Sequence, residues 1–280
     1  MNKVKNHFFP SSIDELLNLL NYENSQILAG GTDLSLNINP TTENIIDLQN
    51  LELKFINESS EGFSIGALTT AYDLYTYKNL PQSLHDTAFK VSDMPLLHAV
   101  TVGGNLAKLY PWCDLPPMLW ALNAKVTLYE QDGSLKEMSA DEFFTYSKDQ
   151  NVSNRNSFIK EIFVPKPPEN SFSQYQKFGL TEIDKGQVNM GSFLSWDDKK
   201  VISEVRLVVS AITKTIQRLN KVEALLVGKK LTNEIIASCE KLAIESIEIV
   251  PNYKSSIEFR SQILKTYLRR TLQACMEAQA

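Results

Sequence analysis

Residues 98–114 read His-Ala-Val-Thr-Val-Gly-Gly-Asn-Leu-Ala-Lys-Leu-Tyr-Pro-Trp-Cys-Asp. The stretch centres on Gly103-Gly104-Asn105, entered through the β-branched run Val100-Thr101-Val102. A glycine pair after such a run lets the backbone turn with positive φ and lie close against a ligand. The N–H groups of such a turn form a small anion-binding nest. A second pair sits upstream in Ile27-Leu28-Ala29-Gly30-Gly31-Thr32-Asp33-Leu34, again after a short apolar run. The chain has 11 glycines, and these two pairs concentrate four of them. Each pair is followed by a small polar residue (Thr32, Asn105), which points to two loops gripping one phosphate-bearing ligand. On the residues alone the alternative stays open, because tight strand–helix turns need glycine with or without a ligand. Neither loop fits Gly-x-Gly-x-x-Gly or the Walker lysine motif, so neither a Rossmann nor a P-loop site is supported. Asp114, just past the second loop, is placed either to accept hydrogen bonds from sugar hydroxyls or to cap a helix before Leu115-Pro116-Pro117.

Outward from these loops the chain alternates short strands and helices. Ser12 with Glu15 three residues on forms a capping-box start, and Ile13, Leu16, Leu17 and Leu20 follow on one helical face. Gln26–Ala29 and Asn44–Leu48 read as short strands, completing an α/β subdomain over about residues 1–53. Phe63–Ala67 alternates at strand period; Ala71–Tyr77, Gln82–Val91 and Met118–Ala124 read as helices. Asp132-Gly133 joins the strands Lys125–Glu130 and Ser134–Met138 as a hairpin turn, and Ser139 caps a helix over Ala140–Tyr146. Phe158–Val164 is a further strand. Pro165-Lys166-Pro167-Pro168 then stops regular structure and marks a domain boundary, giving units of 1–168 (subdomains about 1–53 and 54–168) and 169–280. In the second unit three strand-like runs, Phe172–Phe178, Val188–Trp196 and Val201–Ser210, precede helical patterns at Thr213–Val227, Thr232–Ser246 and Ser256–Ala278. Strands first and helices afterwards indicate a small α+β domain built on a three-stranded antiparallel sheet.

Composition narrows the function. The 280 residues are 43% hydrophobic and 22% charged, ordinary for a soluble globular chain. A net charge of −5 argues against a nucleic-acid partner. No apolar run is long enough to span a bilayer, and Met1–Pro10 lacks the apolar core of a signal peptide, so a cytoplasmic enzyme or enzyme subunit is expected. Cys113, Cys239 and Cys275 are scattered with no Cys-x-x-Cys, which excludes an all-cysteine iron–sulfur cluster within this chain. His7, His85 and His98 have no metal or triad spacing. Cys113 has no cationic or histidine neighbour in sequence to activate it as a nucleophile. Trp112 and Trp120 read as core aromatics or ring-stacking partners. No residue is assigned a catalytic role.

Ala29-Gly30-Gly31-Thr32-Asp33-Leu34 together with Thr101-Val102-Gly103-Gly104-Asn105 resembles the FAD-binding medium subunits of the molybdenum hydroxylases, the family of carbon monoxide dehydrogenase and xanthine dehydrogenase. The resemblance extends over nearly the whole chain, through Ile65-Gly66-Ala67-Leu68-Thr69-Thr70, the Tyr-Pro-Trp-Cys-Asp segment, and Ser256-Ile-Glu-Phe-Arg260. It implies an α+β protein: a PCMH-type (vanillyl-alcohol-oxidase-like) FAD-binding domain with two α/β subdomains, then a small α+β domain. Carried over, Leu28, Ala29, Gly30, Gly31, Thr32, Asp33 and Leu34 would wrap the FAD pyrophosphate and ribityl. Thr101, Gly103, Gly104 and Asn105 would form the second phosphate loop, with Lys108 and Cys113 inside the matched segment and Asp114 on a sugar hydroxyl. Lys177 matches a lysine that reaches the flavin in relatives, and Asp184-Lys185 occupies the loop near the isoalloxazine. FAD is expected to be non-covalent, because the first loop holds no histidine.

The resemblance further implies electron transfer from an iron–sulfur small subunit through FAD to an acceptor such as NAD or oxygen. Molybdopterin and [2Fe–2S] clusters would reside on the large and small partner subunits, in a dimer of heterotrimers. Three departures from the pattern stand out. Pro95-Leu96-Leu97-His98 replaces a Gln-Ile-Arg-Asn, Leu180 and Thr181 replace arginines after Lys177, and Tyr110 replaces a serine. The first two remove positive charge on the electron-exit side. A self-contained flavin oxidoreductase, or a non-catalytic flavin-binding protein, are the other readings of the same fold.

Overall fold

A computed structural model of the chain describes residues 4–149 and 157–279. The chain opens with β1 (Asn6–Phe8), α1 (Ile13–Leu20), β2 (Ser25–Leu28) and β3 (Asn44–Asp47). These strands form a parallel sheet in the order β1-β3-β2. Ser12 Oγ accepts from the Glu15 N–H as the sequence predicts, but the Glu15 carboxylate returns to Ser11 rather than to Ser12. Leu16, Leu19, Leu20, Ile46 and Leu48 make a small core of their own.

A second sheet is built from β4 (Ile56–Glu58) and β5 (Gly62–Gly66), and from three strands that arrive after a run of helices. Those helices are α2 (Ala71–Thr76), α3 (Gln82–Phe89), α4 (Met94–Leu97), α5 (Val102–Lys108) and α6 (Leu115–Ala121). Then come β6 (Lys125–Tyr129), β7 (Leu135–Ser139), α7 (Ala140–Asp149) and β8 (Phe158–Pro165), giving the order β4-β5-β8-β6-β7. Thr70 and Asp73 close a full capping box on α2. Gly133, at φ +83, makes the turn between β6 and β7. Pro116 and Pro117 sit in the first turn of α6, where their missing N–H groups cost nothing. This helix therefore begins three residues before the span read from its apolar residues.

The third sheet is antiparallel: β9 (Ser171–Phe178), β10 (Val188–Trp196), β11 (Ile202–Ser210) and a two-residue edge, β12 (Gln217–Arg218). The helices α8 (Asn220–Leu226), α9 (Asn233–Ser246) and α10 (Ile257–Ala278) follow it. The three long strands agree with the sequence reading, but the helical pattern at Thr213–Val227 is only half realised. Ala211 turns at φ +64, and Thr213 Oγ1 donates to the Thr215 carbonyl. β-Branched Thr213, Thr215 and Ile216 disfavour a helix ahead of the edge that Gln217 and Arg218 form.

One face of this sheet carries its own core, including Val188, Met190, Leu194 and Leu207, covered by α8–α10. The other face joins the core of the second sheet and its helices through Tyr175, Phe193 and Val208. Contact there is close: a Cβ on Gly191 would lie 2.4 Å from the Pro117 carbonyl oxygen. β10 therefore lies directly on the start of α6, the helix that follows the second loop.

Candidate functional site

The two glycine loops meet. A Cβ on Gly30 would fall 1.6 Å from the Ala99 carbonyl oxygen, so only glycine lets the first loop rest on the chain leading into α5. Asp33 ties them from the other side. Its Oδ1 accepts from Asn37 Nδ2 at 2.8 Å and from the Tyr110 hydroxyl at 3.1 Å, and its Oδ2 lies 3.0 Å from Lys108 Nζ. Burial raises the Asp33 pKa, but the bonds from Asn37, Lys108 and Tyr110 outweigh it and hold the carboxyl below its ordinary value.

The glycine pairs do different jobs. Gly31 takes the left-handed φ of +73 expected of a loop glycine. Beyond it Ser35 N–H bonds to the Gly31 carbonyl, and Asn37 N–H to the Asp33 carbonyl, as in the first turn of a helix. Among the described residues no protein acceptor meets the backbone N–H groups of Gly30 through Leu34. That leaves a row of donors of the kind that binds phosphate.

The second pair does not turn with positive φ. Gly103 and Gly104 lie in the first turn of α5, which Thr101 caps by accepting from the Gly104 N–H. The N–H groups of Val102, Gly103, Gly104 and Asn105 are already taken, by Thr69 O, Ala67 O, Thr101 Oγ1 and Thr101 O. The glycines are needed there for packing: a Cβ on Gly103 would sit 2.7 Å from Ala67 Cβ. This corrects the expectation of two nests. What the second loop leaves open is Asn105 Oδ1, which is buried without a hydrogen-bond partner among the described residues.

Asp114 stands at the cap position of α6, yet its side chain makes no capping bond. Its Oδ1 instead accepts from the Tyr175 hydroxyl at 2.6 Å and pairs with Lys177 Nζ at 3.1 Å. Lys177 Nζ also donates to the Lys90 carbonyl at 2.6 Å, and its side chain is only 3% exposed. Two residues expected separately at the site are thus brought together across the junction of the second and third sheets. Burial pushes the Asp114 pKa up to about 6, against the opposing pull of Lys177 and Tyr175. Neighbouring Cys113 is buried and pushed up to about 12, first by burial and then by the Asp114 charge, so it is an inert thiol.

The segment Gly179–Gly186 returns towards the same place. Lys185 Nζ lies 4.7 Å from the Trp112 ring, and Trp112 stacks on Tyr110 at 4.7 Å and 10°. Asp184 is half-buried, whereas Leu180 and Ile183 are exposed. Trp112, read from sequence as a core aromatic or ring-stacking partner, and Tyr110, noted there only as a departure, link Asp33 of the first loop to Lys185 of the second domain. Each of the three histidines meets a protein group: His98 stacks on Tyr72, His85 bonds the Tyr75 carbonyl, and His7 lies 3.4 Å from Asp47. Trp120 packs on Phe144 with its Nε1 on Asp141. Among the described residues no cluster of His, Cys, Asp and Glu is placed to hold a metal ion, and no helix is long and apolar enough to cross a membrane.

Residues 3–167 match the family described as the FAD binding domain in molybdopterin dehydrogenase, and residues 173–275 match the CO dehydrogenase flavoprotein C-terminal domain. The chain belongs to this family: it is an FAD-binding medium subunit of the molybdenum hydroxylase and carbon monoxide dehydrogenase type. It is 27% identical to the 6-hydroxypseudooxynicotine dehydrogenase complex subunit alpha of Paenarthrobacter nicotinovorans, over 93% of this chain and 90% of that one. It is 25% identical to the glyceraldehyde dehydrogenase medium chain of Sulfolobus acidocaldarius, over 91% and 92%. Its fold superposes on a chain of the carbon monoxide dehydrogenase of Hydrogenophaga pseudoflava, solved without the Mo-pyranopterin moiety of its cofactor. That match has a TM-score of 0.90 at 23% identity and covers all of both chains.

Proposed function

We propose that this chain takes electrons from an iron–sulfur small subunit, passes them through non-covalent FAD, and delivers them to an acceptor such as oxygen or NAD. A large molybdopterin subunit would carry out the substrate chemistry, and the complex would be a dimer of heterotrimers in the cytoplasm. Residues 1–168 would form the flavin-binding unit and 169–280 the unit that closes over it. The observation that carries this reading is the row of uncommitted N–H donors at Gly30–Leu34, held against the second loop by Gly30 and Asp33.

When bound, the flavin supplies reversible one- and two-electron redox chemistry, and the protein's task is to position and tune it. Leu28 to Leu34 would hold the pyrophosphate through backbone donors. Asn105 Oδ1, buried and unpartnered, would accept a hydrogen bond from the cofactor. Thr101, Gly103 and Gly104 would set the shape of that wall, with Lys108 neutralising Asp33. Both bonds to Asp114 fall on Oδ1, which leaves Oδ2 for a sugar hydroxyl. Cys113 and Lys177 would line the floor, while Asp184 and Lys185 close the edge.

The three lysines at the site are engaged by Asp33, Asp114 and the Trp112 ring. An acceptor that needs no phosphate grip, such as oxygen, is therefore favoured over NAD. Co-expression with the two partner subunits tests the route. Substrate added to the complex should bleach the flavin absorbance, and air should restore it faster than NAD does. A complex whose iron–sulfur clusters are reduced while the flavin stays oxidised would contradict the proposal.

A further inference from the structure

Lys177, Asn189 and Ser210 form one row across the third sheet. Asn189 stands opposite Lys177 on β9 and opposite Ser210 on β11. Directly opposed residues of antiparallel strands point to the same face, with Cβ atoms about 5 Å apart. That face is the one turned to the FAD-binding domain, because the next row along is Tyr175, Gly191 and Val208. Gly191 touches Pro117 there, and Tyr175 and Val208 belong to the shared core.

The row is polar, buried and short of partners. Asn189 and Ser210 are both 0% exposed. Neither Asn189 Oδ1, nor Asn189 Nδ2, nor Ser210 Oγ has a hydrogen-bond partner among the described residues. Gln187 Oε1, two residues upstream, is in the same condition. The Asn189 amide is held close to the backbone of Gly186, where a Cβ would approach its oxygen to 1.9 Å. At the other end of the row Lys177 spends two of its three ammonium protons, one on Asp114 and one on the Lys90 carbonyl.

Dry, these atoms would each cost about 1–3 kcal/mol, against a total stability of about 5–15 kcal/mol for a typical protein. Three such atoms in one paired row would together cost several kcal/mol without partners. Internal water is the ordinary solution: it makes roughly three hydrogen bonds to buried groups that the protein leaves open. The row offers an amide donor, an amide acceptor, a hydroxyl, and the third proton of Lys177.

We propose that Lys177, Asn189 and Ser210, with Gln187 beside them, bind an internal water cluster that hydrates the Asp114–Lys177 pair from the third-sheet side. The site takes water, not the flavin, and it is complete in the flavin-free chain. It joins the base of the Gly179–Gly186 segment to the Asp114 carboxylate, and it lets that carboxylate exchange its proton inside a sealed junction. The groups facing Asp114 are Tyr175 and Lys177 from β9, with Cys113 and Lys90 from the flanking segments.

The test uses the full flavin-free chain. Magnetisation transfer from water to the Asn189 side-chain amide protons is measured by NMR, alongside chemical unfolding of Ser210→Ala and Asn189→Leu. Bound water predicts a direct amide–water contact and a folded-to-unfolded ratio that falls roughly two- to tenfold in Ser210→Ala. Absence of that contact, or a ratio in Ser210→Ala that stays level or rises, would overturn the proposal, since removing an unpartnered hydroxyl from a dry site relieves strain. If Asn189→Leu does not fold, Ser210→Ala and the amide contact decide the matter. Both are read without FAD, so failure of the flavin reading would not be mistaken for failure here.

Discussion

Gly30 and Ala99 are in backbone contact: no side chain fits between the Gly30 Cα and the Ala99 carbonyl oxygen, which a Cβ would meet at 1.6 Å. The obstacle is backbone, so it does not swing aside as the end of a flexible side chain would. Gly30→Ala should push the first loop off the second and scatter the donors of Gly30–Leu34. FAD affinity is expected to fall at least tenfold, with a stability loss of about 1–3 kcal/mol. Equilibrium titration with FAD and chemical unfolding check both. Unchanged affinity would mean that the loop contact does not shape the site.

Asp33 is the polar counterpart of that contact. Asp33→Asn keeps the shape but removes the charge facing Lys108. Because its folded pKa lies below the unfolded value, the carboxylate's contribution is present above about pH 4 and lost as pH falls through the folded pKa. The pair is partly exposed, so its worth is about 1 kcal/mol or less. The wild-type and Asp33→Asn unfolding midpoints should therefore converge below pH 4 and separate above it.

Asp114 runs the other way. Its folded pKa of about 6 lies above the unfolded value, so the folded state holds the extra proton. This group's contribution to stability should therefore fall as pH rises from about 4 to 6. Lys177→Met removes the nearest cation and should push the Asp114 pKa above 6, extending the upper end of that window. Asp114→Asn should abolish it. Thermal unfolding across pH in the three proteins reads the difference, and an Asp114→Asn curve identical to wild type would contradict the assignment.

Docking of the third sheet rests on a bare backbone surface at Gly191. Gly191→Ala would drive a Cβ to 2.4 Å from the Pro117 carbonyl and should cost about 1–3 kcal/mol. The same change should loosen the Tyr175–Asp114 bond, visible as faster hydrogen exchange around the start of α6.

How far the sequence could be read differs by element. The Ser12 cap, the Asp132-Gly133 turn and the alternating strands are local, and local chemistry decides them. That the two glycine loops belong together is legible in the sequence, but not their separate duties. Whether an N–H is free depends on which carbonyl from elsewhere reaches it, and Ala67 and Thr69 are far from Gly103 and Val102 in sequence. The Asp114–Lys177 pair was hidden for the same reason, since 63 residues of chain separate two groups that fold to 3.1 Å. The Thr213–Val227 pattern becomes helix only from Asn220, because an apolar period does not show that Gln217 and Arg218 pair with β11 as a sheet edge.

Exposed Lys185 holds the half-buried Trp112 ring by a cation–π contact, worth about 0.5–1 kcal/mol. Lys185→Met should weaken FAD binding only a few-fold, while Trp112 fluorescence should change on titration in both proteins. A hundredfold loss would give Lys185 a direct grip on the cofactor that its present contact does not indicate.

The central claim is that the first loop, not the second, supplies the phosphate donors. Backbone amide NMR of the isotopically labelled flavin-free chain, titrated with FAD, tests it most directly. The resonances of Gly30 to Leu34 should shift strongly downfield while those of Gly103 and Gly104, already bonded to Ala67 and Thr101, move little. Large shifts at Gly103 and Gly104 with Gly30 to Leu34 unmoved would contradict the account.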